Sequence, residues 1–355
     1  MWANVRLSLC GFVITAFSFC STADSILAPT TVTLLEKDKP LGEIVAELSK
    51  RVGMTITADP VLTKSKCTIE VNGQSLWDSL ETLATNCNAK IVLSDGGRKI
   101  ALQPKGEGHF ISSIHGPFRL VASQVVGKTL LEYGTTSHEV YLNLHWEPRY
   151  PVYRVAASPR ITKAFDDRGR PLEAKSTIAW VQPDGAKTEL KLSIHGLTAE
   201  SKQIAVLAGT YRVTASAKIL AFRFDSLQTS LPIVQSQEKV GVSLKRIVSD
   251  EDSWIFELEL LYPIGQPIFE SFEAEVWLRD NRPRLISPDA SKTYEATGYE
   301  YSILEEKGGG RKVIAKYSFP GAASPLAKGW SLIYETPAPL IEFDVPFELK
   351  NLPIP

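Results

Sequence analysis

The sequence predicts an α+β protein: a small N-terminal unit of two helices and short strands, followed by mostly β, sandwich-like domains. Three observations predict it. Apolar residues recur at helical spacing at Leu41, Ile44, Val45 and Leu48, and again at Leu76, Leu80, Leu83 and Ala84. Beyond residue 108 the chain reads as alternating or β-branched runs broken by turn residues. The 23 glycines and 22 prolines are spread along 355 residues, as turn signals are, and not gathered into a disordered tract.

The chain opens MWANVRLSLCGFVITAFSFCSTADS. Arg6 is its one charge before Asp24, and an apolar run extends from Leu7 to Phe19. Ser21 and Ala23 suit a cut after Ala23, so residues 1–23 are expected to be a secretory signal peptide. The run is short for a membrane-spanning helix, and no later stretch approaches that length. The expected location is the periplasm or the extracellular space, with no integral membrane segment after cleavage. The full chain carries 39 basic and 40 acidic residues, a net charge of −1. That balance gives no steering toward nucleic acid or an anionic membrane.

Elements follow in order. Val32 and Leu34 share one face of a first strand. Asp38 is expected to cap the next helix, with Pro40 in its first turn. Gly53 is its stop, because glycine takes the left-handed geometry at low cost. Met54 and Ile56 begin a second strand, and CTIEV, Cys67 to Val71, alternates as a third. Asn72-Gly73 is read as a turn, and Ser75 with Asp78 as the capping pair of the second helix. Strands near Ala89–Leu93 and Lys99–Leu102 close the unit around Asp95-Gly96-Gly97.

Cys10 and Cys20 leave with the signal peptide, and Cys67 and Cys87 remain. Cys67 shares its strand face with Ile69 and Val71, and Cys87 lies at the end of the second helix. Both point into one layer. Two buried free thiols fit that placement; a disulfide is the expectation in an oxidising compartment.

Two segments, "PLGEIVAELSKRVGMTITADP" and "CTIEVNGQSLWDSLETLATNCNAKIVL", carry a resemblance. Residues 31–103 resemble the short N-terminal domain of secretins and TonB-dependent outer-membrane receptors. Pro40, Leu41, Val45, Leu48, Gly53, Leu76, Leu80 and Leu83 sit at matching positions. The resemblance implies a protein-docking or envelope-assembly module and carries no catalytic residue. It covers about a fifth of the chain, and no secretin pore domain or outer-membrane barrel pattern follows it.

Residues 104–108, PKGEG, read as a polar linker. Two β-sandwich-like domains are expected beyond it, at 109–230 and 238–355, divided where LPIVQSQE breaks the strand pattern. Trp254, Phe256, Tyr262, Phe269, Phe272 and Trp277 suit sandwich cores.

Reactive groups are sparse. His109, His115, His138, His145 and His195 form no close ligand motif and read as polar turn residues. The acids of SDEDSW, 249–254, lack EF-hand spacing. Asp166 and Asp167 in FDDRGRP are explained by a turn. No GxSxG, GxGxxG or Walker pattern occurs, so neither a usual nucleophile nor a phosphate cradle is indicated, and no cofactor or metal is expected. "HWEPRYPVYRV" crowds Trp146, Arg149, Tyr150 and Tyr153 into one recognition-surface candidate, with core packing as the competing reading. The expected function is non-enzymatic: protein–protein interaction or envelope assembly with a periplasmic or envelope protein. The alternative is carbohydrate or small-ligand binding on a sandwich surface, with a hydrolase behind it.

Overall fold

The computed structural model describes residues 27–355 except 109, 133, 177–178, 182, 184, 217, 229, 251, 263–280, 306–310, 322–323 and 338–339. The signal-peptide reading therefore lies outside the described residues, as do His109, Glu251, Phe269, Phe272 and Trp277. The fold is α+β, with two helices and six β-sheets among the described residues.

The chain begins with β1 (Thr31–Pro40), α1 (Leu41–Val52), β2 (Thr55–Ala58), β3 (Lys66–Ser75), α2 (Leu76–Asn86), β4 (Ala89–Ser94) and β5 (Lys99–Pro104). β1 and β3 form a two-stranded antiparallel sheet. β5 lies between β2, which runs parallel to it, and β4, which runs antiparallel. Leu41, Ile44, Val45 and Leu48 of α1 join Leu76, Leu80 and Leu83 of α2 in one buried cluster with strand residues such as Val32, Ile69 and Ile100. The α1 cap differs from expectation. β1 runs to Pro40, which has no side-chain cap bond, and Asp38 sits at φ 53 with its carboxylate on Lys66 Nζ at 2.8 Å. A strand bulge has taken the aspartate that a loop would have left to the helix. Asn72-Gly73 lies within β3, where Gly73 has φ 66. Gly53 ends α1 in the left-handed region. Ser75 accepts the Asp78 N–H at 3.2 Å and so caps α2. A Cys67–Cys87 disulfide joins β3 to the residue just past α2, with Cα atoms 5.6 Å apart.

The next strands are β6 (Ile111–His115), β7 (Phe118–Leu130), β8 (Thr135–Trp146), β9 (Val152–Ala156), β10 (Arg160–Asp166), β11 (Glu173–Lys175), β12 (Trp180–Val181), β13 (Lys187–His195) and β14 (Gln203–Ser216). One sheet has the order β11-β13-β8-β7-β6, the other β10-β14-β9-β12. The two share a core built from residues such as Leu142, Leu144, Leu192, Leu207 and Val213.

The last strands are β15 (Ile219–Asp225), β16 (Ile233–Gln237), β17 (Val240–Asp250), β18 (Ser253–Tyr262), β19 (Arg282–Ile286), β20 (Thr293–Glu295), β21 (Gly298–Glu305), β22 (Arg311–Pro320), β23 (Ser331–Pro337) and β24 (Leu340–Pro353). A sheet β15-β23-β19-β20 and a sheet β16-β17-β18-β22-β21 share a second sandwich-like core with Phe222, Phe224, Phe256 and Phe319.

The boundary expected between 230 and 238 is crossed twice. β15 precedes it yet pairs with β23 and buries Phe222 and Phe224 in the second core. β24 follows it yet pairs with β14 along Gln203–Ser216 and places Val345, Phe347, Leu349 and Leu352 in the first. Both strands alternate, so period-2 patterning places them in a sheet without saying which sheet.

Residues 104–108 do not hold the two units apart. The N-terminal cluster is packed directly on the first sandwich. Trp77 of α2 is fully buried and donates its indole N–H to Pro117 O at 2.9 Å. Ala186 N donates to Gly96 O at 2.7 Å, joining the β4–β5 turn to the turn before β13. A Cβ on Gly185 would lie 1.9 Å from Gly96 O, so only glycine allows that approach.

Candidate functional site

The end of β8, the start of β9 and the segment between them hold the four recognition candidates. Trp146, Tyr150 and Tyr153 are only 1%, 9% and 2% exposed, so the surface reading is corrected for them. Trp146 continues the inward row of Val140, Leu142 and Leu144 on β8, and Tyr153 enters the second core. Only Arg149 reaches solvent, with 48% of its side chain exposed.

What the segment does locally is hold the chain that leads into β1. Glu147 is fully buried and accepts from Thr30 N at 2.8 Å, Thr30 Oγ1 at 2.5 Å and Arg149 Nε at 2.8 Å. Arg149 and Tyr150 both donate to Ala28 O, the tyrosine hydroxyl at 2.6 Å. Sequence reasoning passed over Glu147, because Thr30, which gives it two of its hydrogen bonds, lies 117 residues away. Beside it lies a cleft of about 470 Å3 where the three cores meet, bearing exposed Arg98, Arg149 and Arg282. No acid lines it among the described residues.

A second polar group sits under α2. Arg119 is buried; its Nε donates to Glu81 Oε1 at 2.7 Å, which also accepts from Ser112 Oγ at 2.5 Å. Arg119 is 3.5 Å from His145 Nδ1, and the His145 ring is 6.3 Å from that of Trp77. Burial, then the charges of Arg119 and Lys187, push the His145 imidazole down to about 3. His145 is thus a neutral interior residue, which corrects its reading as a polar turn residue. His115 and His195 do lie at strand ends, beside Gly116 and Gly196 with positive φ. No group of three metal-ligating side chains occurs among the described residues.

The FDDRGRP acids serve the turn. Burial opposes the charge on Asp166, but hydrogen bonds from Arg170, Ser201 and Arg168 outweigh it and bring the carboxyl down to about 2. Asp167 accepts from Lys202 N at 3.1 Å. Their bonds end on protein groups that fix the chain path.

The β1–β3 sheet presents a different surface. Neither strand has a second strand partner among the described residues, so each has an outer edge. The register of β1 on β3 shifts twice, between Val32 and Leu34 and between Glu36 and Lys39, and its C-terminal end carries the Glu36–Lys39 and Asp38–Lys66 ion pairs, a device that discourages strand pairing. Toward its N-terminal end, Thr33 O accepts from Arg51, and Leu35 is 59% exposed. No helix among the described residues is long and apolar enough to cross a membrane.

No family model, curated protein or solved structure matches the chain.

Proposed function

We propose that the protein is an exported, non-enzymatic interaction protein of the cell envelope, and that residues 31–103 are its docking module. The observation that carries the proposal is the outer edge of β1 over Thr31–Leu35, with an exposed leucine and no strand partner among the described residues. An extended partner segment adds to such an edge through main-chain hydrogen bonds, and alternate side chains set its specificity. The resemblance of this stretch to the docking domains of secretins and TonB-dependent receptors supports the same reading. So does the use of Glu147, Asp166 and Arg119 in internal bonds.

Trp77 and the Glu81–Arg119 pair join the module to the first sandwich, so a docked partner engages the whole molecule. The test is recovery of an envelope partner on immobilised full-length protein. Leu35→Lys places a charge on the edge, whereas Leu131→Lys alters an exposed leucine at the β7–β8 turn. One protein is expected to be retained by the wild type and Leu131→Lys and lost from Leu35→Lys. Equal recovery on all three would overturn docking at this edge.

A further inference from the structure

The second sandwich carries a cleft that docking at β1 does not use. β20 and β21 are the outer strands of its two sheets. A cavity of about 570 Å3 lies beside them, lined also by residues of β19, β22 and β23. That volume is within the range of small-molecule clefts, roughly 300–1,000 Å3.

Its polar lining is incompletely used by the protein. Asn281 is 7% exposed; its Nδ2 donates to Tyr334 OH at 2.6 Å, and its Oδ1 is buried without a protein partner. Arg284 donates a terminal N–H to Glu335 Oε1 at 2.6 Å, while its Nε is buried without one. Glu295 is the cross-strand neighbour of Arg284 on β20. One buried acceptor and one buried donor, each with under 1 Å2 of its own surface open to water, therefore belong to residues that line the same cavity. Hydroxyl groups match such a pair, because each can donate and accept.

Charge and shape narrow the ligand. Arg282 and Arg284 balance Glu295 and Glu335 in the lining, which favours a neutral molecule over an anion. Tyr299 is 42% exposed, with its ring centroid 6.1 Å from Tyr301 and 6.4 Å from Tyr317. A sugar ring pairs an apolar C–H face with a rim of hydroxyls, and the cleft pairs an aromatic face with amide, guanidinium and carboxylate groups.

We propose that this cleft binds a neutral saccharide, stacked on Tyr299 and hydrogen-bonded to the Glu295 carboxylate and, once their side chains turn toward it, to Asn281 Oδ1 and Arg284 Nε. The site is independent of the β1 edge.

The full chain is titrated with maltose, cellobiose, lactose and N,N′-diacetylchitobiose and followed by saturation-transfer NMR. At least one is expected to bind with a Kd tighter than about 1 mM. Tyr299→Ala removes an exposed ring, and Arg284→Lys removes the Nε–H donor; each is expected to weaken binding about tenfold without lowering Tm by more than a few degrees. Leu35→Lys is expected to leave saccharide binding unchanged, so failure at one site is distinguishable from failure at the other. No binding by any of the four sugars, or equal binding by wild type and both cleft variants, would overturn the proposal.

Discussion

Glu147 and His145 stand two residues apart and show how buried polar side chains are used here. Glu147 gathers Thr30 and Arg149 around a carboxylate with no solvent access. Glu147→Ala leaves those donors unmatched. A hydrogen bond to a charged group nets about 1.5–3 kcal/mol, and Arg149 can return to solvent, so a loss of about 2 kcal/mol in urea unfolding is expected. Hydrogen exchange should quicken at Thr30–Leu34, and an unchanged midpoint would contradict the clamp. His145 makes the fold sensitive to acid. Its pKa is about 3 in the folded protein, against about 6.5 when unfolded. Between those values the unfolded chain binds more protons, so the contribution is present above pH ~6.5 and is lost as pH falls toward ~3. Tm measured from pH 7.5 to 4 should fall less steeply in His145→Gln. Identical slopes would show that His145 does not titrate in this way. The sequence made neither residue legible. A histidine on an alternating strand and an acid before a proline reveal their environment only when Glu81, Arg119 and Thr30 arrive from other elements.

Elements with local signals were read well. Both helical stripes bury their leucines, Gly53 and Ser75 cap as their chemistry dictates, and Cys67 and Cys87 meet in one layer. The disulfide is expected to contribute about 2–4 kcal/mol, so Cys67→Ser/Cys87→Ser should lose that much stability by chemical denaturation. No change would contradict a structural role for the bond. Elements defined by distant pairing were less legible. Asp38 gave a helix-cap signal, but a bulge in β1 set its place. β24 looked like the last strand of a C-terminal domain, yet Phe347 stacks on Tyr211 of β14 at 5.1 Å. Phe347→Ala should cost about 3–5 kcal/mol. Its hydrogen-exchange protection should fall first in β14 and β10. Loss confined to β17 and β18 would contradict the pairing.

Across the whole molecule, three cores are tied by chain crossings and buried polar contacts rather than strung along linkers. β15 and β24 exchange places across the expected division, and α2 is fixed to the first sandwich through Trp77 and Arg119. Composition and patterning gave the α+β class because they depend on local periodicity. They could not give the three-core junction, whose Arg98, Arg149 and Arg282 come from separate parts of the chain. The saccharide cleft was hidden for the same reason: Asn281, Glu295, Tyr299 and Glu335 meet only after β19, β20, β21 and β23 are arranged. The β1 edge was closer to legible, because its helix-and-strand pattern is continuous in sequence.

A photoreactive residue placed at Leu35 tests the docking proposal most directly, with one at Leu131 for comparison. Both side chains are exposed, so neither replacement disturbs a core. After irradiation in envelope extract, Leu35 is expected to give one discrete adduct that Leu131 does not, with the partner residue in an extended segment. Absence of an adduct at Leu35, or the same adducts at both positions, would contradict strand addition at β1.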